Sequence, residues 1–430
     1  MSSFGPWLLK PEGLCLAVPE FTNKIGFIML KTVFGVSKAF FDLISSRKTS
    51  DKKGVTIFLR SASPGTLDSD FFPLVRLLSK RFDKLFIIDK SGSFGVARSW
   101  IDAICSEFSG EVELLGPEEV GRAIKLSRVV FCKNASGDGL HYRIANFFLR
   151  SRLFVLIPHG PTTKPYASSE AVVLPSVLVG SERFLYPSGG VWGLRSLVKN
   201  LGMRGYDKII LQNSLEAYRK SLIYAGMKSI DCRGYPRFYR AAYLTRNKSD
   251  AICSDEFKNS VSQSGTNILF APRGKIKIGP EAWEIIQAVC AERDITLHVR
   301  MHPQYMNEMP EFVRSSSKVN IVDQSVAPGP VEVLCFMDAL ITDVSSIMME
   351  GFAYQIPVAH LVSGDEVMAY ELPLALPGLV VRGDSELLEF ISGVEPGMKD
   401  KKSNFISEIF RLDKGYTLEE AYSDLFEGLD

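Results

Sequence analysis

Three short stretches in the second half of the chain carry groups that seek a phosphate, and each follows an apolar run. "FAPRGK" supplies Arg273, Gly274 and Lys275. "VRMHPQY" leaves His302 at the end of an apolar run, with Arg300 two residues earlier on the same face of a strand and Pro303 closing it. "ALITDVSSIMMEGFA" breaks at Thr342 and Asp343 into the pair Ser345 and Ser346, with Glu350 one helical turn on. Arginine, histidine and serine donors on one sheet edge can hold a diphosphate, helped by the unpaired amides of a helix start. A carboxylate at Glu350 can hold a ribose diol. Taken alone, Asp343 or Ser345 would simply cap that helix.

A fourth stretch lies in the first half. "LFVLIPHGPTTKPYA" puts His159 and Gly160 directly after an apolar run, followed by Thr162, Thr163 and Lys164 on what would be the acceptor side. Glycine lets the backbone approach a ligand closely, and imidazole accepts a proton near neutrality. An isolated loop histidine is usually satisfied by a carbonyl. Across a cleft from a diphosphate, His159 becomes a general base for an attacking hydroxyl.

The remaining candidates carry less. Asp68 and Asp70 have a spacing that binds metal in some nucleotide-sugar enzymes, but they precede the helical "FFPLVRLLSKRF" and read as its cap. "SGSFGVARSW" is a glycine-bearing turn suited to an acceptor pocket, not a dinucleotide fingerprint. His141 reads as part of a surface loop, and His298 and His360 as core or edge residues. Neither a metal site nor a resident cofactor is expected, and the P-loop, zinc-protease and nucleophile-elbow patterns are absent.

Positioning these residues requires strands that end where the motifs begin. Residues 55–59, 84–89, 112–116, 128–132, 153–158, 208–212 and 229–234 are β-branched runs separated by helix-length stretches. The same alternation resumes at 267–272, 297–301, 319–323, 339–343, 356–362 and 379–383. That order predicts right-handed β-α-β crossovers and mostly parallel sheets. The expected architecture is α/β: two doubly wound, Rossmann-like domains facing a cleft. An acceptor-side domain over 54–236 is joined by a polar linker, 237–266, to a nucleotide-donor domain over 267–415, and a helix in 416–430 could return to the first domain.

Bulk properties narrow the class. At 430 residues the chain exceeds one ordinary core, and a net charge of +1 argues against a nucleic-acid partner. Seven scattered cysteines, without metal or redox spacing, read as reduced thiols of a cytosolic protein, and no secretory signal is visible. Residues 1–53 form an amphipathic segment. Within it, 24–44 is apolar except for Lys24, Lys31 and Lys38, which form one narrow stripe on a helix. Such a helix cannot span a bilayer, but it can lie in a membrane surface, with the basic residues up to Lys53 following, or pack on its own domain.

The set "PHGPTTK", "GYPRFY", "LFAPRG", "RMHPQY" and "ALITDVSSIMMEGFAYQIPV" resembles the CDP-glycerol glycerophosphotransferase family of teichoic-acid-type polymerases, from about residue 128 to 362. The resemblance implies a GT-B fold, a cytoplasmic enzyme peripheral to the membrane, a CDP-polyol donor and a glycan or lipid-linked acceptor. It places His302, Ser345 and Ser346 on the donor diphosphate, Glu350 on the ribose, and His159 as general base. Transferases of GT-B type that use a CMP-sugar donor, sialic acid or Kdo, also carry a histidine-proline motif and a serine pair. They are the alternative reading. A non-catalytic scaffold at the membrane is a third.

Overall fold

The computed structural model describes residues 31–45, 54–59, 71–89, 98–133, 139–158, 204–212, 229–263, 265–272, 276, 278–316, 319–327, 329–343, 347–361, 380–411 and 417–427. All thirteen runs read as strands are strands in the structure, although the seventh and the last keep only two residues each.

β1 (Gly54–Phe58), β2 (Lys84–Ile88), β3 (Glu111–Leu115), β4 (Ser127–Cys132), β5 (Leu153–Leu156), β6 (Lys208–Ile210) and β7 (Ile230–Asp231) form a parallel sheet ordered β3-β2-β1-β4-β5-β6-β7. Its strands are apolar on both faces because helices cover both. Phe58, Phe86, Val130 and Phe154 face α1 (31–45), α4 (Val120–Leu126) and α5 (Leu140–Leu149). The alternate residues Val55, Ile57, Phe131 and Val155 face α2 (Phe72–Ser79) and α3 (Arg98–Glu107).

β8 (Thr266–Ala271), β9 (Ile295–Val299), β10 (Val319–Ile321), β11 (Ala339–Thr342), β12 (Val358–Leu361) and β13 (Val380–Val381) form a second parallel sheet, ordered β10-β9-β8-β11-β12-β13. One face packs on α8 (Pro280–Glu292), the short α9 (Glu311–Arg314) and α12 (Asp384–Ser392) through Ile268, Leu297, Ile341 and Ala359. The two sheets share one strand logic. Each starts in its middle, runs outward to one edge, then returns to build the other half, so direction reverses between β1 and β4 and again between β8 and β11. The fold is the expected pair of doubly wound α/β units.

Residues 237–266 correct the expectation of a polar linker. They hold α6 (Pro236–Arg246) and α7 (Asp255–Gln263). α6 buries Phe238, Ala241 and Leu244 at every third position, and α7 buries Phe257 and Val261 four apart. The charges that made the stretch look like a linker are matched from far along the chain, by carboxylates on α10 (Pro330–Leu334) and α11 (Ile347–Ala353). One apolar cluster consequently runs from the first sheet through α6 to Leu269, Leu340 and Val358 of the second.

The last described residues pack on the first unit. After α13 (Lys401–Phe410), α14 (Leu418–Tyr422) opens with a capping box between Thr417 and Glu420 and runs into one tight turn, Ser423–Phe426. Phe426 meets the rings of Phe82 and Phe131 edge-on at 5.9 and 6.4 Å, and Lys80 Nζ lies 2.7 Å from Glu419.

Among the first described residues, α1 packs one face inward. Ala39 and Leu43 are fully buried, and Asp42 accepts from the Tyr142 hydroxyl at 2.7 Å and pairs with Lys125 at 2.6 Å. His141, expected in a surface loop, lies in the first turn of α5 against α1. A Cβ on Gly35 would stand 2.4 Å from its ring, and burial lowers its pKa.

Candidate functional site

The order β9-β8-β11 brings three strand exits side by side at the reversal point of the second sheet, where doubly wound sheets bind ligands. Register and hydrogen bonds fix their alignment. Thr342 pairs with Ala271 and its fully buried hydroxyl donates to the Ala271 carbonyl at 2.7 Å. On the other side the Arg300 amide donates to the Phe270 carbonyl at 2.9 Å. The chain beyond β8 leads to Arg273 and Gly274, that beyond β9 to His302, and that beyond β11 to Asp343 and then Ser345 and Ser346. Arg273, Gly274, Ser345 and Ser346 lie outside the described residues, as do His159, Gly160, Thr162, Thr163 and Lys164. The backbone before His159 is described: Ile157 extends β5 by donating to the Cys132 carbonyl at 2.9 Å.

His302 is half-buried and opens the tight turn Pro303–Glu308. Its carbonyl accepts from the Tyr305 amide at 2.8 Å, and the two rings lie 6.1 Å apart. Arg300 is turned inward. Its Nη1 donates to the carbonyls of Val322, Asp323 and Ala327 at 3.4, 3.2 and 2.9 Å, bracing the loop after β10. Burial pulls its pKa down to about 10, against opposing pulls from Cys253, Asp323 and Glu350. Asp343 stands half-buried at the exit of β11.

Glu350 lies in the first turn of α11 and is 2% exposed. Its Oε1 accepts from Arg237 Nη1 at 2.9 Å, and Arg237 is 3% exposed. Gly351 explains how the helix seats so deeply, since a Cβ there would come within 2.8 Å of Leu340 and 2.9 Å of Val358. Arg237 is the buried partner of a candidate site residue, and the sequence reading did not single it out. The available signal was its place in "GYPRFY", an arginine among residues the fold buries. Gly234 takes a positive φ of 95°, Tyr235 is buried, and Pro236 starts α6. One turn on, Arg240 forms a bidentate pair with Glu332 of α10, both bonds 2.9 Å.

Other predicted residues have structural uses. His298 is fully buried, with Nε2 2.9 Å from Asn267 Oδ1 and its pKa lowered by burial to about 4. His360 is 1% exposed. α2 is preceded by Phe71, which makes no side-chain cap; Asp68 and Asp70 lie outside the described residues. Among the described residues, no group of three or more histidines, cysteines or carboxylates could hold a metal, and no helix is long and apolar enough to cross a membrane. A cavity of about 510 Å³ lies between α2, α3, α6 and α14, walled by Phe72, Leu77, Tyr239 and Tyr243, and includes none of the strand-exit residues.

Residues 234–426, from Gly234 to Phe426, match the family model described as CDP-Glycerol:Poly(glycerophosphate) glycerophosphotransferase. A solved structure of the wall teichoic acid polymerase TagF soaked with CDPG matches with a TM-score of 0.64 at 13% identity, covering 98% of this chain and 100% of that one. Another TagF structure matches at 0.62 and 12%, covering 92% and 94%. A structure from Listeria monocytogenes, described as a "putative UDP-N-acetylglucosamine 2-epimerase", matches at 0.52 and 14%, covering 88% and 98%. No curated protein matches the sequence. These likenesses show the fold, and the motif resemblance is borne out over the matched residues. Residues 234–426 thus carry the pattern of the CDP-glycerol:poly(glycerophosphate) glycerophosphotransferase family, on a fold shared with the TagF structures.

Proposed function

We propose that the chain transfers a polyol phosphate, glycerol phosphate first among them, from a CDP-activated donor to a hydroxyl of a cell-envelope glycan or lipid-linked acceptor, releasing CMP. The observation that carries this reading is the side-by-side placement of the exits of β9, β8 and β11 within the residues that match the family. In this mechanism the acceptor hydroxyl attacks the phosphorus that bears glycerol. His159 takes its proton, the bond from that phosphorus to the bridging oxygen breaks, and the electron pair leaves on CMP. Arg273, His302 and the Ser345–Ser346 pair neutralise the charge growing on the leaving phosphate. Such transfers need alignment and charge stabilisation more than covalent help from the protein.

The acceptor places the work at a membrane surface, and α1 offers a surface for it. Its outer side exposes Val33, Phe34, Phe41 and Ile44, with Phe148 of α5 beside Phe40 at 5.8 Å. Aromatic and aliphatic groups flanked by Lys31 and Lys38 suit the headgroup region of an anionic bilayer.

Nucleotide release from a panel of CDP-glycerol, CDP-ribitol, CMP-sialate, CMP-Kdo and a UDP-hexose, with a crude lipid acceptor, tests the reading. CMP release from the CDP-polyols alone is expected. Turnover of a CMP-sugar instead would move the reaction to glycosyl transfer.

A further inference from the structure

α11 is gripped on two sides. Toward the sheet, Gly351 lets the helix axis approach Leu340 of β11 and Val358 of β12 closely. Toward α6, Glu350 is tied to Arg237. The sheet contact is apolar and sets distance, while the ion pair is directional and sets rotation about the helix axis. Near the far end of the helix, the Tyr354 hydroxyl donates to the Val331 carbonyl at 2.8 Å.

The same helix follows β11, whose exit lies beside that of β8 at the reversal point of the sheet. Replacing Arg237 by an apolar side chain removes the ion pair that Glu350 makes inside the protein, where charge is costly to leave without it. Relief of that cost would let α11 turn or shift at the exit of β11.

We propose that Arg237 is a positioning residue of the donor site: by holding Glu350 it fixes the rotation of α11 at the exit of β11. The proposal rests on the donor reading given above. It also gives Glu350 a use other than the ribose contact that the family resemblance implies.

The sister pair supplies an internal control. Arg240 and Glu332 are equally short and nearly as buried, on the same helix, but Glu332 receives the Ile252 amide at 2.7 Å and secures the α6–α7 connection instead. The test is calorimetric titration of CDP-glycerol and of CMP into wild type, Arg237→Met, Arg237→Lys and Arg240→Met. Each is handled below its own melting point, with urea unfolding measured in parallel. Arg237→Met is expected to bind CDP-glycerol at least tenfold more weakly. Arg237→Lys, which keeps the charge but loses the planar fork, is expected to fall between it and wild type. Arg240→Met should stay within twofold of wild type while losing comparable stability. Equal affinity in wild type and Arg237→Met, or equal weakening in Arg240→Met, overturns the positioning role. If Arg237→Met does not fold, Arg237→Lys decides, with wild-type affinity counting against the proposal. A wild type that binds neither CDP-glycerol nor CMP overturns the donor reading itself, and the positioning role with it.

Discussion

Arg237 and Glu350, 113 positions apart, meet at 2.9 Å with side chains only 3% exposed each, joining the helix after Gly234 to the helix after β11. Removing one partner leaves the other charged and buried. Arg237→Met and Glu350→Gln should each lose about 3–5 kcal/mol of unfolding free energy. Urea unfolding monitored by circular dichroism measures it. A loss under about 1 kcal/mol would mean that water reaches the pair.

His302 is assigned to the leaving phosphate. His302→Ala should lower kcat about a hundredfold, or about 3 kcal/mol in the barrier, the size of one oxyanion donor. KM for the donor should change much less. Steady-state kinetics on folded variant checks this, and an unchanged kcat would remove His302 from the mechanism.

The close seat of α11 predicts a packing defect at Gly351. A methyl placed 2.8–2.9 Å from Leu340 and Val358 forces the helix outward, so Gly351→Ala should cost about 1–3 kcal/mol. Thermal unfolding would show it as a lower Tm. An unshifted Tm would mean that the helix relaxes freely.

His298 predicts an acid limb in stability. Burial lowers its folded pKa to about 4, from an ordinary value of 6.5. Between those values the unfolded chain binds the proton and the folded chain does not. Stability from this group is therefore complete above pH 6.5 and drains as pH falls toward 4, by a total of about 3 kcal/mol. Unfolding midpoints at pH 7 and 4.5, compared with those of His298→Gln, isolate the contribution. Parallel pH profiles would contradict it.

The outer side of α1 predicts lipid contact. Replacing Phe34 and Phe41 by serine should reduce co-sedimentation with anionic vesicles severalfold while leaving the Tm within a few degrees, because both rings are exposed. Equal sedimentation of wild type and variant would remove this face from consideration.

Much of this was legible from local pattern. The strands announce themselves because both faces of each sheet are covered, so runs such as "VTIFL" and "ALITD" are apolar throughout. The three strand-exit motifs were legible for the same reason, since a polar residue after such a run must sit at an edge. What the sequence hid depends on distance along the chain. α6 looks like a linker because Arg237 and Arg240 find their carboxylates at positions 350 and 332. His141 looks like a loop residue because the helix it packs on lies a hundred residues earlier, where Gly35 makes room for its ring. Arg300, expected on the diphosphate, was indistinguishable by sequence from an arginine that braces a neighbouring loop.

The most direct measurement follows the phosphorus. CDP-glycerol labelled at the phosphorus that bears glycerol is incubated with the protein and a lipid acceptor extract, and the label is traced. The account predicts label in the extended acceptor, an equal amount of unlabelled CMP, and loss of both in His159→Ala. Label recovered only as free glycerol phosphate, or intact donor beside turnover of a CMP-sugar, would contradict it.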